Sequence, residues 1–258
     1  MNKISDDILF KVEKPSRYTG GELNEIVKNP SEIDIRFAFC FPDVYEVGMS
    51  HLGSRILYHT LNARPDTYCE RSFAPWPDME EQLRKNDIPL FTLETKDSLK
   101  EFDILGFTLQ YEMSFTNILN MLDMAGITIR ASERGEDEPI VMAGGPCAYN
   151  PEPLYDIVDF FEIGEGEEMM NDVLDVYKKY KGKGQKKEFL REISKIQGIY
   201  VPSLYDVIYN EDNTIKEFKP KYEDVPSTIK KRISKIKQSL ELKEHDNLLK
   251  ETKKRGYI

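Results

Sequence analysis

The sequence predicts a doubly wound α/β fold, in which a parallel sheet carries helices on both faces. Four of five short apolar segments run into a segment whose apolar residues recur at helical spacing, and the remaining one, at 139–143, runs into two glycines. Parallel strands need crossover connections of about this length, which helices usually supply. Glycines and polar residues stand directly after several of the predicted strands, as is typical of the loops at one edge of such a sheet. A chain of 258 residues can build one main core with an appendage.

The individual elements follow from these patterns. We predict strands at 33–41, 68–73, 102–109, 139–143 and 157–163. The helices between and after them are predicted at 49–61, 78–85, 115–125 and 167–180, with a further helix at 188–196. A short helical stretch is predicted at 22–28, and residues 199–201 and 206–209 read as a short hairpin or as edge strands. The chain then divides into a lead-in (1–30), a main domain (31–182), a connecting part (183–226) and a basic tail (227–258).

Charge is distributed unevenly along the chain. The tail from Ser227 holds 10 Lys and Arg against 4 Asp and Glu, which leaves 26 against 42 in residues 1–226. The net charges are therefore +6 and −16, and the acidic body argues against a nucleic-acid groove because affinity for phosphates depends on cationic residues. In the tail, Ile229, Ile233, Ile236 and Leu240 are spaced as an apolar stripe of a helix, which would pack on this domain or on another chain.

Several classes of protein are excluded or disfavoured. No window approaches the roughly 18 apolar residues that a membrane span requires, so we expect a cytoplasmic protein with no membrane contact. Cys40, Cys69 and Cys147 lie far apart and no C-x-x-C occurs, so neither a disulfide framework nor a metal site held by this chain is expected. A dehydrogenase-type dinucleotide site is disfavoured because no G-x-G-x-x-G follows the first strand.

A ligand of a doubly wound sheet binds beyond the carboxyl ends of its strands, so the loops there hold the candidate site. The candidate residues are Asp43, Tyr45, Gly48, Gln110, Ser114, Gly144, Gly145, Pro146, Gly164, Glu165 and Gly166. Adjacent glycines after a strand allow close approach to a flat group, but they equally suit a tight turn. Ser114 is also suited to capping the following helix, and Glu165 and Glu167 to stabilising a helix start.

Longer segments resemble a known family. FPDVYEVGMSHLGSRILYHTLN, FAPWPDMEEQL, FDILGFTLQYEMSFTNILNMLDMAGI, AGGPCAYNPEPL and DFFEIGEGEE look like the N-terminal half of an uncharacterised family of radical S-adenosylmethionine (SAM) proteins with a cobalamin-binding-like domain. The resemblance covers roughly residues 15–205. It implies a flavodoxin-like sheet of strand order 2-1-3-4-5 over residues 31–182.

The resemblance also implies a partner. In the family a partial barrel follows this domain, binds a four-iron cluster through C-x-x-x-C-x-x-C and uses it to cleave SAM. This sequence contains no such motif and departs from the family after about Pro226. We therefore expect an accessory domain that is not catalytic alone, works with a radical SAM barrel in cis or as a separate chain, and meets the cluster and SAM only through that barrel.

Cobalamin is the cofactor that the resemblance implies for this domain itself. Cobalamin-binding domains commonly supply D-x-H-x-x-G in the first loop, where the histidine coordinates cobalt. The corresponding span runs from Asp43 to Gly48 and places Tyr45 at the histidine position. A phenol with a pKa near 10 is a poor ligand compared with imidazole. Cobalamin binding and a non-catalytic interaction module without cofactor therefore stay open, whereas a flavodoxin-type electron carrier is disfavoured because PDVYEVG lacks a Ser/Thr-rich phosphate loop.

Overall fold

Six strands build a central sheet in the computed structural model, which describes residues 4–233. They are β1 (Ile35–Phe41), β2 (Thr67–Phe73), β3 (Ile104–Thr108), β4 (Ile140–Gly144), β5 (Phe160–Glu162) and β6 (Ile199–Tyr200). Their spatial order is β2-β1-β3-β4-β5-β6. The first five strands pair in parallel and β6 joins β5 antiparallel. The flavodoxin-like order 2-1-3-4-5 is thus confirmed, with one extra edge strand.

The parallel strands are connected by helices, except β4 and β5, which 3₁₀ turns join; seven α-helices lie among the described residues. They are α1 (Asp6–Leu9), α2 (Tyr45–Ser50), α3 (Leu52–Asn62), α4 (Pro77–Lys85), α5 (Phe115–Met124), α6 (Gly166–Tyr180) and α7 (Lys186–Ile193). Six of the seven residues of β1 and all five of β3 are buried. Near-continuous apolar strands of this kind form where helices cover both faces of a parallel sheet. Every helix among residues 4–233 is too short or too polar to span a bilayer.

The edge strand β2 carries charged residues that are nevertheless buried. Glu70 is fully buried and accepts hydrogen bonds from Arg36 Nη2 (2.7 Å) and from Thr92 Oγ1 (2.7 Å). Arg71 donates from Nε to Glu94 Oε1 at 2.7 Å. The segment that follows α4 therefore covers the outer edge of β2, because residues 92–95 satisfy its polar side chains.

Two sequence predictions of local structure are wrong, and of the two alternatives given for residues 199–201 and 206–209 the hairpin is not formed, whereas β6 is an edge strand. Residues 22–28 are not helical, because this part of the lead-in is held extended where Lys28 Nζ donates to three backbone carbonyls between α3 and β2. Residues 199–201 and 206–209 do not pair with each other. The strand β7 (Tyr205–Tyr209) instead forms a separate hairpin with β8 (Ile215–Pro220). Residues 227–233 are also not helical. The rest of the predicted tail stripe, Ile236 and Leu240, lies outside the described residues.

Candidate functional site

The loops after β1 and β3 meet at the carboxyl edge of the sheet. The Tyr111 hydroxyl donates to Asp43 Oδ2 at 3.2 Å, and Asn117 Nδ2 donates to the backbone oxygen of Pro42 at 2.9 Å. Asp43 also accepts from the Val44 backbone N–H through Oδ1. Asp43 is therefore a loop-bridging residue, and the two loops form one surface.

Gly145 is required by the backbone around it. Its φ is +106°, and a Cβ at this position would lie 2.9 Å from Leu109 O and 3.3 Å from Thr108 Oγ1. A side chain would therefore meet fixed main-chain atoms as well as an unfavourable backbone region. Gly144 has more room, since its nearest neighbour would be Glu162 Cβ at 3.5 Å. The pair serves as a tight turn that lets the loops after β3 and β4 pack together.

Glu162, the last residue of β5, is the most perturbed carboxyl group at this edge. Only 4% of the residue is exposed, and its Oε1 has no hydrogen-bond partner within residues 4–233. Burial, together with the nearby Glu167 carboxylate, raises the pKa of Glu162 to about 8 against the opposing effect of Arg232. Glu167 Oε2 is likewise buried and unpartnered in the described part of the chain. Glu162 is thus held mainly neutral at pH 7 and is able to donate a proton.

The loop at Gly164 contacts residues 231–233, the last segment of the chain that the structure describes. Arg232 pairs with Gly164 in parallel fashion: Arg232 N donates to Ile163 O at 3.0 Å and Glu165 N donates to Arg232 O at 3.1 Å. A Cβ on Gly164 would lie 2.2 Å from the Arg232 carbonyl oxygen, and φ at Gly164 is +123°. The Arg232 side chain pairs with Asp172 at 2.7 Å. Residues 231–233 are therefore fastened onto the loop that follows Glu162.

Tyr45 and Gly48 belong to the side of the site next to β2. The Tyr45 hydroxyl donates to Glu22 of the lead-in, and its ring lies edge-on to Phe73 with centroids 5.6 Å apart. Burial, with the neighbouring Glu22 carboxylate, raises the pKa of Tyr45 to about 12. A Cβ on Gly48 would lie 2.2 Å from the Phe73 ring, so Gly48 lets α2 approach β2. The phenol of Tyr45 is a structural hydrogen-bond donor.

The other candidate residues occupy turns of the same edge. Gln110 Nε2 donates to Thr108 Oγ1 at 2.5 Å. Ser114 stands at the N-cap position of α5, but its buried hydroxyl donates to Tyr111 O at 2.8 Å and makes no cap bond. Pro146 opens a single 3₁₀ turn and is exposed, and Gly166 begins α6. A Cβ on Gly166 would lie 3.2 Å from Glu162 Oε2, so this glycine leaves space beside the buried acid.

Large apolar side chains are exposed on these loops. Val47 is 45% exposed, Tyr111 46%, Met113 83% and Tyr149 60%. They come from the chain segments after three neighbouring strands, β1, β3 and β4. Exposed apolar side chains that collect on one face indicate a surface that contacts another molecule. We call Val47, Tyr111, Met113 and Tyr149 the strand-end surface.

Comparison with known proteins assigns the family. A family described as radical SAM proteins, N-terminal, matches residues 53–202. The chain belongs to this radical SAM N-terminal family. An uncharacterized protein of Methanocaldococcus jannaschii is 26% identical over 153 residues, which cover 55% of this chain and 29% of that protein. The chain therefore spans less than a third of the length of this curated relative. No solved structure gives a significant match to the chain.

In this radical SAM N-terminal domain the first loop does not offer an imidazole to a corrin. Tyr45 stands at that position and its hydroxyl is bound to Glu22. His51 lies six residues after Tyr45 and caps α3, because its Nδ1 accepts the Ser54 N–H at 3.1 Å. In the neutral ring this hydrogen bond places the proton on Nε2. Within residues 4–233, no group of three or more His, Cys, Asp or Glu is arranged to hold a metal ion. These residues do not fit a corrin whose cobalt is coordinated by a protein nitrogen.

Sequence reasoning missed two participants of this domain's site, Glu162 and Arg232. Glu162 is a charged residue inside the apolar run IVDFFEI, next to G-E-G-E, and that position is a readable signal for a functional acid. Arg232 lies far from Gly164 in the sequence, and no pattern in the residues around Arg232 indicates a contact with Gly164. Cys147, by contrast, adds no reactive thiolate, because burial and the nearby Glu112 carboxylate raise its pKa.

Proposed function

We propose that this chain is an accessory domain of a radical SAM protein and that its strand-end surface contacts the catalytic domain. The observation that carries the proposal is the exposure of apolar side chains on three adjacent loops at the carboxyl edge of the sheet. Aromatic and methionine side chains are enriched in the buried centres of protein interfaces. In this arrangement the catalytic domain supplies the iron–sulfur cluster and SAM, and this domain supplies a shaped surface.

The buried acid supports a role beyond passive docking. Glu162 lies beside Gly144 and Gly166 at the same carboxyl edge of the sheet as the strand-end surface, and its carboxyl group is mainly neutral at pH 7. A neutral carboxyl group can donate a hydrogen bond to a carbonyl or amide of whatever covers it. The surface therefore combines an apolar contact with one directional polar group, as ligand-binding and interface sites commonly do.

A binding experiment with matched variants tests this proposal. The double variant Met113→Glu/Tyr149→Glu places two charges on the strand-end surface and leaves the core untouched, since both side chains are exposed. Ile215→Glu on β8, 63% exposed, is the matched control. We expect this chain to bind a separately expressed radical SAM catalytic domain of its family, and the double variant to bind at least about a hundredfold more weakly than the control. Equal binding by the two variants would contradict the proposal.

A second candidate function is the binding of cobalamin on the same surface, with no nitrogen ligand from the protein. The glycine turn at Gly144 and Gly145 and the exposed rings of Tyr111 and Tyr149 favour a large flat ligand. The engaged Tyr45 phenol means that the first loop would leave the lower face of cobalt to water or to the corrin's own base.

Two measurements separate this candidate from an interaction module without cofactor. Hydroxocobalamin is added to the chain, which is passed over a gel-filtration column, and retained corrin absorbance is recorded. If it is retained, reduced cobinamide, which carries no base of its own, should give an electron paramagnetic resonance spectrum without nitrogen splitting. Absence of retained corrin, together with intact binding of the catalytic domain, would leave the interaction module as the function.

A further inference from the structure

A cavity lies beneath the lead-in, beside β1 and β2. Its volume is about 130 Å³, and its walls come from residues 22–24 of the lead-in, from α2 and α3, and from the ends of β1 and β2. One buried water needs roughly 10–15 Å³ by this measure, so the cavity has room for a small organic molecule. Arg55, which is exposed on α3, lines the cavity where it opens to solvent.

Arg71 is the polar group that makes this cavity a candidate binding site. Its side chain is only 10% exposed, and its Nη2 has no hydrogen-bond partner anywhere in residues 4–233. Its Nε donates to Glu94 Oε1 at 2.7 Å, and its guanidinium lies over the Tyr58 ring at 4.4 Å from the centroid. The guanidinium is therefore fixed in place, and one buried N–H donor is left to find an acceptor.

The charges around the cavity favour a singly charged anion. Arg55 makes no ion pair within the described part of the chain, so Arg55 and Arg71 together face an opening in an otherwise acidic body. Burial raises the pKa of Glu94 to about 7, so this carboxyl group offsets the charge of Arg71 only in part near neutral pH. Glu22 also lines the cavity, and its carboxylate would repel a dianion such as phosphate.

The remaining wall is apolar. Phe39, Phe73 and Met49 line the cavity beside the guanidinium, and they would contact the carbon chain of a ligand. From this geometry we propose that the cavity binds a small monocarboxylate, with its oxygen on Arg71 Nη2 and its short carbon chain against Phe39, Phe73 and Met49. The site requires neither the radical SAM partner nor a corrin.

The lead-in is positioned to close this site. Tyr45 holds Glu22 through its hydroxyl, and Lys28 fastens the following residues to carbonyls between α3 and β2. Tyr58 accepts the Ile26 N–H at 2.9 Å. The lead-in thus covers the cavity between two fixed points, so a bound carboxylate should protect the amides of residues 22–26 from hydrogen exchange.

The test uses the full chain with butyrate, its neutral isostere butyramide, and inorganic phosphate, each titrated by calorimetry and by the Nε–H signals of arginine in NMR spectra. We expect saturable binding of butyrate, with butyramide and phosphate at least about tenfold weaker, because a charge-assisted hydrogen bond is lost or a charge is repelled. Arg71→Lys should weaken butyrate binding about tenfold or more, and Arg55→Gln about threefold. The control Arg130→Gln, a change to an exposed arginine on another face, should leave binding unchanged.

The experiment still tests the proposal if one of the variants does not fold. Should Arg71→Lys fail to fold, Arg55→Gln and the comparison of butyrate with butyramide still report on the charge of the site. Equal affinity for butyrate and butyramide would show that Arg71 does not recognise a carboxylate, and no saturation by either would show that neither ligand occupies the cavity; each of these results would overturn the proposal.

Discussion

Replacement of Glu162 by glutamine should remove a large part of the pH dependence of this protein's stability. The ordinary pKa of the group is 4.5 and the folded value is about 8, a rise of about 3.5 pH units. Because the folded pKa is raised, the stabilisation is fully present below pH 4.5 and is lost as pH increases through about 8. Each pH unit in that window costs a little over 1 kcal/mol, so the total is on the order of 5 kcal/mol at pH 9. Glutamine has nearly the same shape as glutamate and carries no charge.

The assay is urea unfolding followed by circular dichroism between pH 5 and pH 9. The wild-type protein should lose unfolding free energy steeply across this range, whereas Glu162→Gln should lose much less and be the more stable protein at pH 9. Glu81→Gln, a change to an exposed glutamate on α4, is the matched control and should follow the wild-type profile. Parallel profiles for Glu162→Gln and the wild type would refute the reasoning, since they would show that Glu162 is ionised in the folded protein at neutral pH.

Three further substitutions test other contacts. Gly145→Ala should lower the unfolding free energy by about 1–3 kcal/mol in the same assay, because it adds a Cβ at positive φ against a fixed carbonyl, and an unchanged value would contradict the described turn. Arg134→Met should cost about 2–4 kcal/mol, since it removes the 2.6 Å partner of the buried Asp159 and three hydrogen bonds to backbone carbonyls while Lys186 at 3.0 Å remains; thermal unfolding measures the loss, and an unchanged midpoint would contradict this role. Gly164→Ala should detach the segment around Arg232, which would appear as faster trypsin cleavage there with an intact core; unaltered cleavage would argue against the pairing.

The sequence was sufficient for the parallel sheet because most of its strands are apolar runs and four of the five predicted strands are followed by a helix. Residues 35–41 are flanked by proline and carry almost no polar side chain, so burial between helices was the only favourable arrangement. The lead-in could not be predicted in this way. Its form depends on Lys28 reaching three carbonyls more than thirty residues away, a tertiary interaction that overrides a weak helical pattern at 22–28.

The position of the candidate loops in the fold was predictable from the sequence, and their role as a ligand site stays a prediction. Listing the loops at the strand ends placed Asp43, Gly145 and Gly164 at one edge, and contacts between neighbouring loops bear this out in the fold. The roles of individual residues could be predicted less well from the sequence. Ser114 satisfies a turn carbonyl instead of capping α5, and the burial of Glu162 follows from packing between strands that local sequence does not describe.

The pairing of Arg232 with Gly164 also limits where a covalently attached group can be. Because the backbone at residue 232 is fixed at the carboxyl edge of the sheet, a group joined through ten extended residues stays within about 35 Å of Arg232. Such a tether produces a local concentration on the order of millimolar, so even a contact too weak to survive dilution of separate molecules would be occupied much of the time. For a catalytic domain joined in cis, the segment 231–233 would be the fixed starting point of the tether, and a modest surface affinity would then be sufficient.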